Sequence, residues 1–276
     1  MTAVRAPAIA SSKPQSGFTL AELAISLIIV SLLLGGMLAM VSAQLEQRKW
    51  SDTQSRLEAA RDALLGFAIA NRRLPCPATC SNPPQCTAGS NGDEAPAGGQ
   101  LACSAYYDGY LPARALGFQP IDAEGYALDA WGNRIRYALA ATLDGSVATC
   151  NASTVPPPTL PHFNNAANLK ANGISCKPGD LVVCNVSPTN ASSKSCDPNT
   201  SATNQNTVVA IVFSTGKNGA TGGNGANEAR NLDGNALFVS RTPDPPGAVG
   251  GEFDDQMLWI SAGTLYAKLV AAGALP

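Results

Sequence analysis

Residues Leu23 to Val41 form an uncharged, apolar run, and Glu22 is the only ionisable side chain between Phe18 and Leu45. No proline occurs between Phe18 and Leu74, so no residue forbids a continuous helix over that stretch. A helix from Phe18 to Val41 is about 36 Å long at 1.5 Å per residue, more than the roughly 30 Å hydrocarbon core of a bilayer. A carboxylate within such a span costs roughly 2.5–3.5 kcal/mol at its centre, and intramembrane acids are usually partnered. These residues therefore predict a membrane-crossing helix with one acid in need of a countercharge. Charge alone leaves its orientation open, because Arg5 and Lys13 precede the run while Arg48, Lys49 and Arg56 follow it.

The cysteines bear on orientation. All eight (Cys76, Cys80, Cys86, Cys103, Cys150, Cys176, Cys184 and Cys196) follow the apolar run, and their number is even. As disulfides they place the C-terminal part in an oxidising compartment. Metal binding or free thiols is the alternative, although Cys76, Cys80 and Cys86 lack the paired C-x2-C spacing of zinc ribbons. Connectivity is open, since eight cysteines allow about 105 pairings. The chain is 45% hydrophobic and 14% charged, with Gly 26 and Pro 20, which predicts a loop-rich, partly β domain. At a net charge of −2 it has no basic field for nucleic acid.

An ordinary secretory signal is the rival reading of the N-terminus, with Val41-Ser42-Ala43 as a small-residue cleavage site. The apolar run is longer than the usual ~7–15 residues, and such a signal has no use for Glu22. Gly17-Phe18-Thr19-Leu20-Ala21-Glu22 followed by an unbroken apolar helix resembles the prepilin signal of type IV pilins and type II secretion pseudopilins. The resemblance implies cleavage between Gly17 and Phe18 by a prepilin peptidase and N-methylation of Phe18. It also implies assembly through the helix with other pilin or pseudopilin subunits, on an inner-membrane platform and in contact with membrane lipid. Cleavage creates an α-amino group with a pKa of about 8. A neighbouring subunit displaced along a filament axis can bring that amine to Glu22, so that each desolvated charge has a partner.

Beyond the membrane half, Leu45, Leu57, Ala60, Leu64, Phe67 and Ala68 recur at helical spacing, with Arg56, Glu58, Arg61 and Asp62 between them. This amphipathic continuation is expected to pack one face on a globular domain and to end near Pro75 and Pro77. Trp50 fits an interfacial aromatic. Gly35-Gly36 and Gly66 are points of bending or close helix approach, or simply tolerated small residues. Residues 76–105 read as a stapled loop. The segment Asp129-Ala130-Trp131-Gly132-Asn133-Arg134-Ile135-Arg136-Tyr137 reads as a turn leading into a strand, the alternative being an ordinary Gly-Asn turn with a buried tryptophan. It resembles the D-x-W-G-x-x-x-x-Y segment that starts the sheet of the major pseudopilin. Strands are expected at Leu181–Val186, Thr207–Phe213, Ala236–Ser240 and Gln256–Ser261, and a closing helix at Thr264–Ala272.

Enzymatic constellations do not emerge. The P-loop needs Ser or Thr after its lysine, and Asn218 follows Lys217. The sole histidine, His162, is expected on a surface loop, and no G-x-S-x-G motif accompanies it. The segment Ser214-Thr215-Gly216-Lys217-Asn218-Gly219 resembles the calcium-loop region of the major pseudopilin, where aspartate usually stands at the position of Asn218. That resemblance implies calcium as a possible cofactor, with Asn218, Asp233, Asp254 and Asp255 as candidate ligands, against the alternative of solvated loop acids.

The expected fold class is α+β: a long N-terminal helix packed on an antiparallel sheet, pilin-like, with disulfide-stapled loops. Its divisions are a leader (1–17), a transmembrane and filament-core helix (18–43), an amphipathic continuation (44–72) and a globular domain (73–276) with a Cys-rich insertion at about 144–206. The expected function is a non-enzymatic structural subunit, minor rather than major, of a type IV pilus or secretion pseudopilus. It would be anchored once in the inner membrane, with its C-terminal domain in the periplasm and then on a filament or cell surface. A filament-displayed adhesin using the insertion and a membrane-anchored periplasmic enzyme are the other classes.

Overall fold

The uninterrupted, proline-free stretch forms one helix, α1 (Leu20–Asn71). In this computed structural model, residues 17–81, 86, 88–144, 150, 161–190, 193–221, 223 and 225–275 are described, with the side chains of residues 34 and 36–41 excepted. Two units divide the chain, Met1–Arg48 and Lys49–Pro276. In the second, α1 buries Thr53, Leu57, Ala60, Leu64 and Ala68, a stripe spaced by three and four residues. Leu57 and Leu64 are fully buried, which contributes roughly 1.5–3 kcal/mol each. The helix stops where Arg72 turns into the left-handed region (φ 58), just before Pro75 and Pro77.

The remaining elements are β1 (Cys80–Ser81), β2 (Ala88–Gly89), β3 (Gly109–Tyr110), α2 (Ala113–Leu116), β4 (Arg136–Leu139), α3 (Ala166–Asn172), β5 (Val182–Cys184), β6 (Val208–Ser214), α4 (Ala226–Asn231), β7 (Leu237–Val239), β8 (Gln256–Ser261) and α5 (Ala262–Ala271). Strands β3-β4-β6-β8 make a four-stranded antiparallel sheet in that order. The β-branched run of β6 is buried at every position, as a central strand covered on both faces should be. The architecture is α+β, with α1 and α5 contributing side chains to the same core as the sheet.

The segment 129–137 fastens α1 to the sheet. Arg56 donates to the carbonyls of Leu128 and Asp129 at 3.0 and 2.6 Å, and Thr53 Oγ1 accepts from the Ala130 amide at 3.1 Å. The buried Asp129 carboxylate accepts from the amides of Trp131 and Asn133 and from Ser214 Oγ, so one acid organises the turn and its junction with β6. Burial raises its pKa, and those hydrogen bonds partly offset the rise. Trp131 is half-buried rather than buried, and Trp50 meets it edge to face at 6.0 Å. Trp50 thus has a packing partner within the globular unit, beyond the expected interfacial role.

Two features depart from the sequence expectation. Strands β5 and β7 pair in parallel, Val182 opposite Leu237 and Cys184 opposite Val239, and carry a small second core with Phe253. A strand inside residues 144–206 is therefore completed by one outside it. His162 lies 3% exposed against Phe163, not on the surface. All eight cysteines form disulfides, Cys76–Cys103, Cys80–Cys86, Cys150–Cys176 and Cys184–Cys196.

Candidate functional sites at the helix N-terminus and beneath the glycine-rich loop

In the first unit, Phe18, Leu20, Leu23, Ile25, Leu27, Ile28, Ile29, Val30, Leu32 and Leu33 are all exposed. A helix that is apolar around its circumference must be covered by lipid or by other protein. Its polar groups are satisfied from within: Ser26 Oγ donates to the Glu22 carbonyl at 2.7 Å and Ser31 Oγ to that of Ile28 at 2.8 Å. Glu22 accepts from the Thr19 amide and Thr19 Oγ1, both at 2.9 Å, while Thr19 Oγ1 accepts from the Glu22 amide at 3.3 Å. This is a reciprocal capping box, which satisfies N-terminal amides that the helix leaves open. The Thr19-x-x-Glu22 spacing signals it, yet the sequence reading gives Glu22 an assembly role alone.

The second site sits where the chain leaves β6. Gly216 adopts φ 62, and the next two amides, Lys217 and Asn218, donate to Asp254 Oδ2 at 2.9 and 3.2 Å. The loop's amide cradle is thus filled by the protein's own carboxylate, which argues against a phosphate loop more directly than the missing Ser or Thr. Glu228, on α4, accepts from Asn218 Nδ2 (3.1 and 3.0 Å) and from the Asp254 amide (2.8 Å). Asp255 accepts from Asn231 Nδ2 at 2.7 Å. Oxygens of Glu228, Asp254 and Asp255 lie within 4.8 Å of one another. All three residues are buried.

Burial, with neighbouring carboxylates adding to it, pushes Asp254 up to about 6 and Asp255 to about 8. Among the described residues, Asp254 Oδ1 is buried with no hydrogen-bond partner. A Cβ on Gly216 would come within 2.1 Å of that oxygen, so only glycine leaves the space open. Three carboxylates, one of them with an orphaned oxygen, fit a hard, oxygen-seeking cation. Of the four residues expected there, Asn218, Asp254 and Asp255 are brought together. Asp233 lies apart from the carboxylate group: it pairs with Arg230 at 2.8 Å and accepts from the Asn235 amide at 2.9 Å. Glu228 takes a place in the cluster that no spacing in the sequence assigns to it.

Against known families, residues 12–38 match the prokaryotic N-terminal methylation motif. The chain carries a prepilin-type N-terminus. This motif is typical of type IV pilins and pseudopilins, which are usually non-enzymatic structural subunits. It implies a prepilin-like protein that is processed by prepilin peptidase, anchored at its N-terminus in a membrane, and assembled with other pilins, with its other domain periplasmic or at the surface. No curated protein and no solved structure matches the chain. Among the described residues, no helix is long and apolar enough to cross a membrane. The side chains of residues 34 and 36–41, in the C-terminal half of the prepilin-type apolar run, lie outside that description.

Proposed function

We propose that this chain is a minor structural subunit of a type IV pilus or type II secretion pseudopilus. Prepilin peptidase cuts between Gly17 and Phe18, and Phe18 becomes the methylated N-terminus. The helix of residues 18–43 holds the subunit in the inner membrane by a single pass, surrounded by lipid, with residues 73–276 in the periplasm. The assembly platform then moves it into the filament. The observation that carries this reading is the methylation motif at residues 12–38. A helix start whose described large apolar side chains, Phe18 to Leu33, are all exposed supports it, and four disulfides suit an oxidising compartment.

Glu22 has two successive tasks in this reading. Before assembly its carboxylate caps its own helix through Thr19. In the filament it faces the Phe18 amine of a neighbouring subunit, a pairing that desolvation enforces. Glu22→Val should leave cleavage at Gly17 intact while removing the protein from sheared filaments or from co-purified secretion complexes. Wild-type incorporation of Glu22→Val would contradict the role.

A second reading concerns the buried carboxylates. We propose that Glu228, Asp254 and Asp255 hold a calcium ion, with backbone carbonyls and water completing the roughly 6–8 oxygens calcium takes. The orphaned Asp254 Oδ1 carries this reading. Bound calcium would take up the orphaned Asp254 Oδ1 and fasten the loop after β6 to α4 and the start of β8. Calcium should raise the melting temperature, and Asp254→Asn should abolish the rise. Absence of both heat and a melting shift in calcium titrations would reject the site.

A further inference from the structure

Four side chains near β3 and β4 stack in succession. Arg136 lies 4.5 Å from the Tyr110 ring centroid, Tyr110 meets Tyr126 edge-on at 5.3 Å, and Arg134 lies 4.5 Å over Tyr126. The two arginines, two residues apart, differ in their partners. Arg134 is neutralised twice, by Asp122 at 2.5 Å and by Glu124 at 3.1 Å. Among the described residues Arg136 makes no ion pair, and its Nε is buried without an acceptor. Arg136 is half-buried, and a guanidinium with a buried, unsatisfied N–H and no countercharge gains from an anion placed on its fork.

Arg136 also lines an open groove of about 570 Å³, together with Tyr110, Asn133, Thr215, Leu128 and Leu232. Its chemistry selects the anion. The guanidinium fork matches the two oxygens of a carboxylate. Asp122 and its partner Arg134 line the same groove, and with the nearby Glu124 the three leave one net negative charge, which would repel a dianion such as phosphate, or any polyanion, more than one negative charge. Leu128, Leu232 and the Tyr110 ring offer apolar contact to an aliphatic stem and the peptide around it.

We infer that this groove receives a single carboxylate, the side chain of an aspartate or glutamate on another polypeptide, seated on the Arg136 fork. The inference stands apart from the filament reading. It depends on the globular unit alone and would hold for a partner of any assembly.

The test uses the full-length, ¹⁵N-labelled chain in detergent micelles and follows the Arg136 Nε–H resonance, identified by its absence in Arg136→Lys. The probe is the capped peptide acetyl-Gly-Glu-Gly-amide, with the matched Gln peptide and inorganic phosphate as separate arms. A saturable shift with the Glu peptide alone is expected. Backbone amide shifts around the groove should report affinity weakened by about tenfold or more in Arg136→Lys, because the bidentate fork is lost. Arg136→Met, which keeps the stem, should bind no peptide while retaining the dispersed spectrum of the folded chain. If Arg136→Met does not fold, the lysine variant decides. The inference would be overturned by no saturable shift, by an equal response to the Gln peptide, or by phosphate binding as tightly as the Glu peptide. Equal binding by the Arg136→Lys variant would do so too.

Discussion

Acidification from pH 6.5 toward pH 4 should weaken the attachment of residues 161–176 to α5 through one side chain, His162. Its Nδ1 faces Asn172 Nδ2 at 3.2 Å, and its Nε2 faces Tyr266 Oη at 3.3 Å. Tyr266 in turn donates its hydroxyl proton to the Cys176 carbonyl. An amide NH₂ can only donate, so Nδ1 must accept, Nε2 must carry the proton, and the ring is neutral. Burial lowers its pKa from 6.5 to about 4. The unfolded chain therefore binds a proton between those values that the native state refuses. The stability His162 contributes is complete above pH 6.5 and is lost as pH falls through about 4. At about 1.4 kcal/mol per pKa unit, the loss amounts to about 3 kcal/mol. Asp180, Asp255 and the other buried acids with raised pKa values act in the opposite sense, gaining stability on acidification. The diagnostic quantity is therefore the difference in pH slope between the wild type and His162→Gln, measured by urea unfolding from pH 4 to 6.5. Because His162 is the only histidine, its Cε1–H resonance gives the pKa directly. A midpoint near 6.5, or identical slopes in the two proteins, would refute the reasoning.

Other perturbations test how the globular unit is held. Arg73 and Glu94 form a buried, bidentate pair with both distances at 2.7 Å, and Glu94 also accepts from the Cys76 amide. Glu94→Gln should cost about 3–5 kcal/mol in denaturant unfolding, while the Arg73→Met, Glu94→Leu double variant should lose less, since no buried charge is stranded. Replacing Cys76 and Cys103 together with alanine opens a bridge of sequence separation 27. It should lower stability by about 3–4 kcal/mol, and unchanged unfolding would show that the bridge does not constrain the denatured chain.

What the sequence discloses is mostly local. The prepilin-type signature occupies a few adjacent residues, and a helix that lacks proline and buries Leu57, Ala60, Leu64 and Ala68 declares itself by period. Strands β6 and β8 follow from β-branched and apolar runs, and β8 begins and ends where expected, at Gln256 and Ser261. What is hidden is non-local. No short-range pattern says that Val182 lies beside Leu237, that Cys150 joins Cys176, or that Glu228 approaches Asp254. His162 looks like a loop residue because prolines and asparagines surround it. Its burial depends on Tyr266, more than a hundred positions away. The expected ligand Asp233 is instead paired with Arg230 on the preceding turn, another contact that the sequence pattern does not announce.

N-terminal mass spectrometry of the protein extracted from membranes of cells with an active prepilin peptidase tests the central proposal most directly. The mature chain is expected to begin at Phe18, to carry one methyl group on its α-amine, and to retain Glu22 four residues on. A chain that begins at Gln44, as an ordinary secretory signal would leave it, or one that keeps residues 1–17 would contradict it.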